Sequence, residues 1–254
     1  MGFRKFDDVS SQFNNLSMLL YGGYRVGKTE LVLKLLDGDE ILYYFSVDKG
    51  IRTLQFRPDE QRARVLVSTE TTYNNLLDDV NDVNNRVLQH TGVKNDGWRR
   101  WIVVDTLTHM QSNFLAEGRK VQLSGSGGPR IKTEKQRDYV VQTDWGINQA
   151  WMTEIMQTLI RIPCNVIFIA LEDRDKNSGL PGPMLQGATL GRSCGACDII
   201  ARLVRDGDSD RRLLQTSRGQ GIEGGVRGWE LGDVEPADLA LIRDKFLHRE
   251  VSGK

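Results

Sequence analysis

One stretch constrains the fold of this chain more than any other. It is Gly22-Gly23-Tyr24-Arg25-Val26-Gly27-Lys28-Thr29, which matches the pattern G-x-x-x-x-G-K-[ST] without a substitution. In such a loop the glycines let backbone N–H groups converge on an anion, and the N-terminus of the next helix adds partial positive charge. The pattern therefore predicts a loop that binds the phosphates of a nucleotide.

The residues on both sides supply the context that this loop needs. Residues 16–21 form an apolar run with the length of a buried parallel strand. Residues 30–36 are good helix formers with apolar positions on one face, and Asp37-Gly38 ends the predicted helix. Strand, loop and helix together predict a P-loop, and its nucleotide-binding residues are Gly22, Gly23, Tyr24, Arg25, Val26, Gly27, Lys28, Thr29 and Glu30.

The catalytic hypothesis starts from Lys28, which is expected to reach the β- and γ-phosphates. The Thr29 hydroxyl is expected to join the ligands of a Mg²⁺ ion. A P-loop also needs a carboxylate at the end of a neighbouring buried strand, and Ile102-Val103-Val104-Asp105 supplies one. Thr29 and Asp105 are therefore the predicted metal residues, although an acid at a strand end can also simply cap a turn.

Hydrolysis requires a group that orients the attacking water, and a carboxylate does this in many P-loop ATPases. Asp48 follows the apolar strand 41–47, and Glu70 follows the short strand at 65–68, so either is a candidate. Glu172 ends the predicted strand at 165–171, where it is placed to sense the γ-phosphate. For each of these acids the alternative is an ordinary solvent-facing side chain.

The rest of the chain predicts one α/β domain over residues 1–254. A mostly parallel sheet is flanked by helices, and a hairpin of strands 198–204 and 212–216 adds an antiparallel extension. Helices are predicted at 72–90 and at 145–162, the second with Asp144 as its N-cap, and Pro236 is expected to open a last helix at about 236–248. Two segments break the pattern: a polar insertion at about 111–143 and a glycine- and proline-rich loop at about 174–195.

Charge gives little support for nucleic-acid binding by the whole surface, because 34 Lys and Arg balance 34 Asp and Glu. Contact with DNA would have to come from local patches, and the two irregular segments carry basic residues that can neutralise phosphates. A solvated insertion remains the alternative. The candidate DNA-binding residues are Arg119, Lys120, Arg130, Lys132, Lys135, Arg174 and Lys176. Arg218, in a glycine-rich turn, is either an arginine finger for a neighbouring subunit or an ordinary turn residue.

Other features narrow the class of protein. Residues 1–11 are polar and mixed in charge, and no apolar run is long enough to cross a bilayer, which favours a cytoplasmic protein without membrane contact. The three cysteines lack a second Cys or His pair that would complete a zinc site, which favours free thiols. No Asn-Lys-x-Asp motif follows a late strand, so ATP is preferred over GTP.

The order of these motifs resembles one family, the bacteriophage RecA-like nucleotide-binding proteins, which include core-only single-strand annealing recombinases. The likeness rests on Gly22–Thr29, the strand that ends at Asp48, Ile102–Asp105, the helix and strand over 145–171, and the loop 179–187. It extends over about residues 14–230, and the P-loop is its specific element. Asp48 stands where this family often has a glutamate, so the carboxylate here is one methylene shorter.

The resemblance implies a RecA-like ATPase of phage recombination that uses ATP and Mg²⁺ in the host cytoplasm. It implies that loops after the fourth and fifth strands bind single-stranded DNA, that the chain assembles into rings or filaments, and that a single-strand-binding protein is a further partner. Two other interpretations stay open from the sequence. One is a replication helicase or helicase loader, and the other is a nucleotide-binding switch or structural phage protein with little turnover.

Overall fold

The computed structural model describes residues 15–48, 50–90, 99–124, 142–174, 179–207, 209–217, 221–227 and 231–252. Within these ranges the chain forms one mixed β-sheet with helices packed on both of its faces. No helix in the described ranges is both long and apolar enough to span a bilayer.

The strands of the sheet are mostly parallel. They are β1 (Ser17–Gly22), β2 (Ile41–Ser46), β3 (Val65–Ser68), β4 (Arg100–Asp105), β5 (Asn165–Arg174), β6 (Pro181–Pro183), β7 (Ile199–Arg205), β8 (Arg212–Gln215), β9 (Gly225–Val226) and β10 (Val234–Pro236). The strand order is β10-β8-β7-β1-β5-β4-β2-β3, with β6 beside β5 and β9 beside β7. The six strands from β7 to β3 are parallel, whereas β8, β10, β6 and β9 pair antiparallel. The predicted parallel core with an antiparallel extension is confirmed.

The helices connect these strands. They are α1 (Lys28–Leu33), α2 (Asp59–Arg62), α3 (Tyr73–His90), α4 (Leu107–Ser124), α5 (Gln142–Arg161), α6 (Ala188–Ala196) and α7 (Leu239–Ser252). A 3-10 turn, Lys34–Asp37, continues α1, and a second one, Gly50–Phe56, follows β2.

The central strands are buried on both faces because their side chains alternate between two apolar layers. On β1, Leu19 and Tyr21 pack with residues of α3, α4 and α5, while Met18 and Leu20 pack with residues of α1 and α7. The same alternation on β2, β4 and β5 explains why these strands are continuous apolar runs in the sequence.

Three aromatic rings tie the long helices together at the end of the sheet where the P-loop lies. Tyr73, which begins α3, stacks on Trp151 of α5 at 4.6 Å between ring centroids, and Phe114 of α4 meets both rings edge-on. Ile147 lies against Gly118, whereas Trp151 lies against Phe114, so α4 and α5 run antiparallel. α4, which begins two residues after β4 ends, is thereby packed against both α3 and α5.

Three predictions about irregular segments are wrong where the structure describes them. Residues 111–124 belong to α4, because Met110 and Phe114 continue an apolar face that the many polar residues obscure in the sequence. In the predicted loop at 174–195, residues 181–183 form β6 and residues 188–196 form α6. Pro236 ends β10 opposite Leu213 and does not open α7, which begins at Leu239.

The parallel strands place their carboxyl ends at one edge of the sheet. The P-loop follows β1, Asp48 follows β2, Asp105 ends β4 and Glu172 lies near the end of β5. Since β1 lies between β7 and β5, the P-loop sits near the middle of this edge, where open α/β sheets bind ligands.

Candidate nucleotide-binding site

The backbone of the P-loop requires glycine at two positions. Gly27, the residue before α1, has φ 99°, a left-handed conformation that side chains with a Cβ rarely adopt. Gly22 has an ordinary φ, but a Cβ there would lie 2.6 Å from the carbonyl oxygen of Leu203 on β7. The first glycine therefore lets β1 and β7 approach closely, and the second gives the loop its turn into α1.

Lys28 is held against the loop it belongs to. Its Nζ donates to the carbonyl oxygens of Gly22 at 2.7 Å and Gly23 at 2.9 Å, and only 7% of the residue is exposed. Burial lowers the pKa of Lys28, while the nearby carboxylates, foremost that of Asp105, act in the opposite direction. A desolvated ammonium with two carbonyl partners is well suited to bind an anionic phosphate.

The P-loop and β4 meet at the carboxylate of Asp105. The Thr29 hydroxyl donates to Asp105 Oδ2 at 2.7 Å, across 76 residues of sequence. Asp105 is 2% exposed, and burial together with the neighbouring Asp48 raises its pKa above the ordinary value. The two residues that the sequence assigned to a magnesium ion are thus in direct contact.

Sequence reasoning missed the second group that holds Asp105. Tyr44 of β2, 1% exposed, also donates its hydroxyl to Asp105 Oδ2. Its burial raises the pKa of Tyr44 well above the usual range, so the hydroxyl stays a proton donor at neutral pH. No sequence signal distinguishes Tyr44 from its apolar neighbours, because the contact depends on the pairing of β2 with β4.

Oxygen atoms converge beside Gly50, which lies next to this contact. A Cβ on Gly50 would lie 2.8 Å from Asp48 Oδ1, 3.1 Å from Asp105 Oδ2 and 3.2 Å from Thr29 Oγ1. Carboxylate and hydroxyl oxygens are hard ligands of the kind that Mg²⁺ prefers; Asp105 and Thr29 supply one of each, and the negative charge of Asp48 lies beside them. The residues present therefore fit a magnesium ion at this position.

Asp48 is the better placed of the two candidate acids for orienting water. Its Oδ1 accepts from the Gly50 amide at 2.6 Å, and its Oδ2 lies 3.8 Å from His109 Nδ1. Its charge acts on both Lys28 and Asp105. Glu70 instead follows the edge strand β3 and accepts from the Asn75 side chain at 2.8 Å.

Glu172 is engaged by an arginine that the sequence did not single out. Arg202 of β7 donates to both carboxylate oxygens of Glu172, each at 2.8 Å. Because β5 and β7 flank β1, this ion pair spans the strand that leads into the P-loop. The charge of Glu172 also acts on Lys28. A role for Glu172 as a sensor of the γ-phosphate stays a prediction.

The candidate DNA-binding residues are partly described. Arg119 and Lys120 lie on α4, half-buried and exposed respectively, and Arg174 is exposed at the end of β5, where it donates to the Gly179 carbonyl oxygen at 3.3 Å. The remaining predicted residues lie outside the described ranges, and they are Arg130, Lys132, Lys135, Lys176 and the proposed arginine finger Arg218.

A glycine loop after β1, its buried lysine and a strand-end acid bonded to the loop threonine define a P-loop NTPase. Comparison with family models assigns the chain more closely. Residues 14–227 match a family model described as an AAA domain (AAA_24), and the chain belongs to that family. Membership implies that it binds ATP.

Among curated proteins, no match is found. Among solved structures, the chain is similar to one described as a prototypical ATPase from the type III secretion system of pathogenic bacteria. The two are 15% identical, and their TM-score is 0.47. The match covers 77% of this chain and 55% of the length of that structure.

Proposed function

We propose that this protein is a Mg²⁺-dependent ATPase that couples ATP to the binding of single-stranded DNA in phage recombination. The observation that carries the ATPase part is the 2.7 Å hydrogen bond between Thr29 and Asp105. It brings the phosphate-binding loop and the strand-end acid to one point, beside the oxygen atoms around Gly50. An ion held there would neutralise negative charge on the β- and γ-phosphates.

The side chains of the site have separate roles in this proposal. Lys28 exchanges its carbonyl partners for phosphate oxygens, which relieves the cost of its burial. Thr29 and Asp105 would hold the metal ion, and Tyr44 donates a hydrogen bond that fixes the Asp105 carboxylate. Asp48 has one oxygen anchored by the Gly50 amide, and its other oxygen is left to accept a proton from the attacking water.

Two substitutions test the ATPase part. Lys28→Ala is expected to remove ATP binding while the fold stays intact, because the hydrogen bonds of the amine in the described ranges go to carbonyl oxygens of the loop itself. Asp48→Asn is expected to slow turnover much more than it weakens ATP binding, since Asn keeps the size of Asp but cannot accept a proton. Binding by calorimetry and phosphate release at saturating ATP measure the two effects. Unchanged ATP affinity in Lys28→Ala would refute the assignment, and wild-type turnover in Asp48→Asn would move the catalytic role to another acid.

The DNA part of the proposal is supported by the chain that leaves the nucleotide edge. α4 begins two residues after Asp105, so a change at the metal site is transmitted directly into this helix. Arg119 and Lys120 lie on α4, and further basic residues occur in the sequence between α4 and α5. Lys and Arg side chains bind nucleic acid mainly through its phosphates.

Fluorescence anisotropy of labelled single-stranded DNA, with and without Mg²⁺-ATP across a salt series, tests this part. We expect tighter binding with ATP and a steep loss of affinity with salt, with a logarithmic slope of about 0.7 per phosphate contact. Lys120→Ala removes about one phosphate contact, so the slope of log affinity against log salt concentration should become shallower by about 0.7. Arg161→Ala is the matched control, because Arg161 is an exposed arginine at the C-terminal end of α5, whereas the basic residues proposed to bind DNA precede the N-terminal end of this helix. Nucleotide-independent DNA binding, or none, would contradict the coupling.

We also propose that the protein acts as a ring or filament of identical subunits. This rests on the resemblance to RecA-like recombinases. Light scattering after size-exclusion chromatography, with and without Mg²⁺-ATP and single-stranded DNA, measures it. A monomer under all of these conditions would contradict the proposal.

A further inference from the structure

An arginine from the antiparallel extension covers the P-loop. A Cβ built on Gly27 would fall 2.5 Å from Cζ of Arg212 and 2.8 Å from both Nε and Nη2. The C–N bonds of a guanidinium are about 1.33 Å long. A point 2.5 Å above Cζ, perpendicular to the guanidinium plane, is therefore about 2.8 Å from each nitrogen, which matches these distances. The guanidinium therefore lies with its flat face on Gly27, and its N–H groups point outward from the edge of that plane.

Nothing in the described chain neutralises this guanidinium. No hydrogen bond or ion pair of the Arg212 side chain occurs among the described residues, although the residue is half-buried. Its direct cross-strand neighbour on β7 is another cation, Arg205. Like charges placed opposite each other on adjacent strands do not stabilise one another, so this pairing supplies no partner for the guanidinium of Arg212.

The position of Arg212 in the sheet indicates which phosphate of the nucleotide the guanidinium contacts. The metal-binding acids lie on one side of β1, on β4 and after β2, whereas β8 lies on the other side, beyond β7. A nucleotide whose γ-phosphate faces Thr29 and Asp105 extends its other end away from β4. The first phosphate that this end presents is the α-phosphate.

We propose that Arg212 binds the α-phosphate of the nucleotide held by the P-loop of the same subunit. The outward N–H groups of a guanidinium suit phosphate oxygens, and Gly27 is the residue whose missing side chain permits the approach. This inference rests on the proposed nucleotide site and adds a residue to it. Because ADP and ATP share the α-phosphate, Arg212 contributes equally to the binding of both and does not discriminate between them.

The experiment measures ADP and ATP affinities of the full chain by calorimetry, together with steady-state turnover. Arg212→Ala is expected to weaken ADP and ATP binding alike by about tenfold to a hundredfold, as for the loss of a charge-assisted hydrogen bond. The KM for ATP should rise by a similar factor while kcat at saturation changes less than about twofold, because the lost binding is common to ground state and transition state. Arg212→Lys should restore part of the affinity, since the charge remains.

Arg205→Ala is the matched control, because Arg205 carries the same charge on the same hairpin but is exposed. It should leave both affinities within about twofold of wild type. Unchanged ADP affinity in Arg212→Ala overturns the inference, as does an effect confined to ATP, which would indicate a γ-phosphate contact. Equal losses in Arg212→Lys and Arg212→Ala also overturn it, because they would indicate stacking on the base. Wild-type protein that binds neither nucleotide would instead overturn the proposed function itself.

Discussion

Replacing Tyr44 by Phe removes a single hydroxyl from the buried carboxylate on which the site is built. The ring stays in the core, where Tyr44 is 1% exposed, so the change in apolar packing is small. The lost interaction is a hydrogen bond to Asp105, which is 2% exposed and keeps the Thr29 hydroxyl as a donor. A hydrogen bond to a charged group contributes about 1.5–3 kcal/mol, and a neutral one about 0.5–1.5 kcal/mol.

These values predict the result of a double-mutant cycle with Asp105→Asn. Tyr44→Phe should lower the free energy of unfolding by about 1.5–3 kcal/mol in the wild-type background. With Asn at position 105 the loss should shrink to about 0.5–1.5 kcal/mol, because the acceptor is then neutral. The coupling energy of about 1–1.5 kcal/mol is the quantity that reports the charge of Asp105.

Urea unfolding without nucleotide or metal measures each corner of the cycle. For an m-value of about 2–3 kcal/mol/M, the transition midpoint of Tyr44→Phe should fall by about 0.5–1.5 M at unchanged m. Equal losses in the two backgrounds would refute the reasoning, because the hydroxyl would then not be bonded to an ionised Asp105. No loss in either background would place the Tyr44 hydroxyl away from Asp105 altogether.

Three further predictions concern the same edge of the sheet. Gly50→Ala places a methyl group among the oxygen atoms of Asp48, Asp105 and Thr29. The increase in ATP affinity that Mg²⁺ produces should therefore fall at least about tenfold. The ATP affinity measured in EDTA, without Mg²⁺, should be unchanged. Gly146→Ala, where nothing lies within 4 Å of the added Cβ, is its control and should be neutral for binding. Burial raises the pKa of Asp105 in the folded state above its ordinary value of about 3.8. The folded protein therefore binds this proton more tightly than the unfolded chain does. As a result, the contribution of Asp105 to stability falls as the pH rises from about 3.8 through the raised pKa. Asp105→Asn should therefore gain stability relative to wild type across this window in urea titrations without metal, and a difference that does not change with pH would contradict the shift. Glu172→Gln leaves Arg202 without its carboxylate, so the free energy of unfolding should fall by about 1 kcal/mol or less, given the partial exposure of the pair. If Glu172 also senses the γ-phosphate, the ATP-dependent gain in DNA binding should shrink while binding without nucleotide stays the same.

The P-loop and its strand were predictable because both are local signals. Four specified residues within eight consecutive positions identify the loop, and an apolar run on each relevant strand indicates burial on both faces of a parallel sheet. The hairpin of β7 and β8 was predictable for the same reason, since turn residues separate two short apolar strands. α4 was not predictable, because polar residues, of which Thr108 and Gln111 are themselves buried, obscure the apolar face that Met110 and Phe114 provide.

The sequence by itself thus determined that a phosphate-binding loop follows a buried strand and that an acid ends another. Only the tertiary structure decided which distant groups meet there: Tyr44 on Asp105, Arg202 on Glu172 and the face of Arg212 on Gly27. The physical reason is that strand order is not encoded by any single segment. Apolar packing against helices on both faces selects β7 and β5 as the neighbours of β1, and each polar contact at the edge then follows from that pairing.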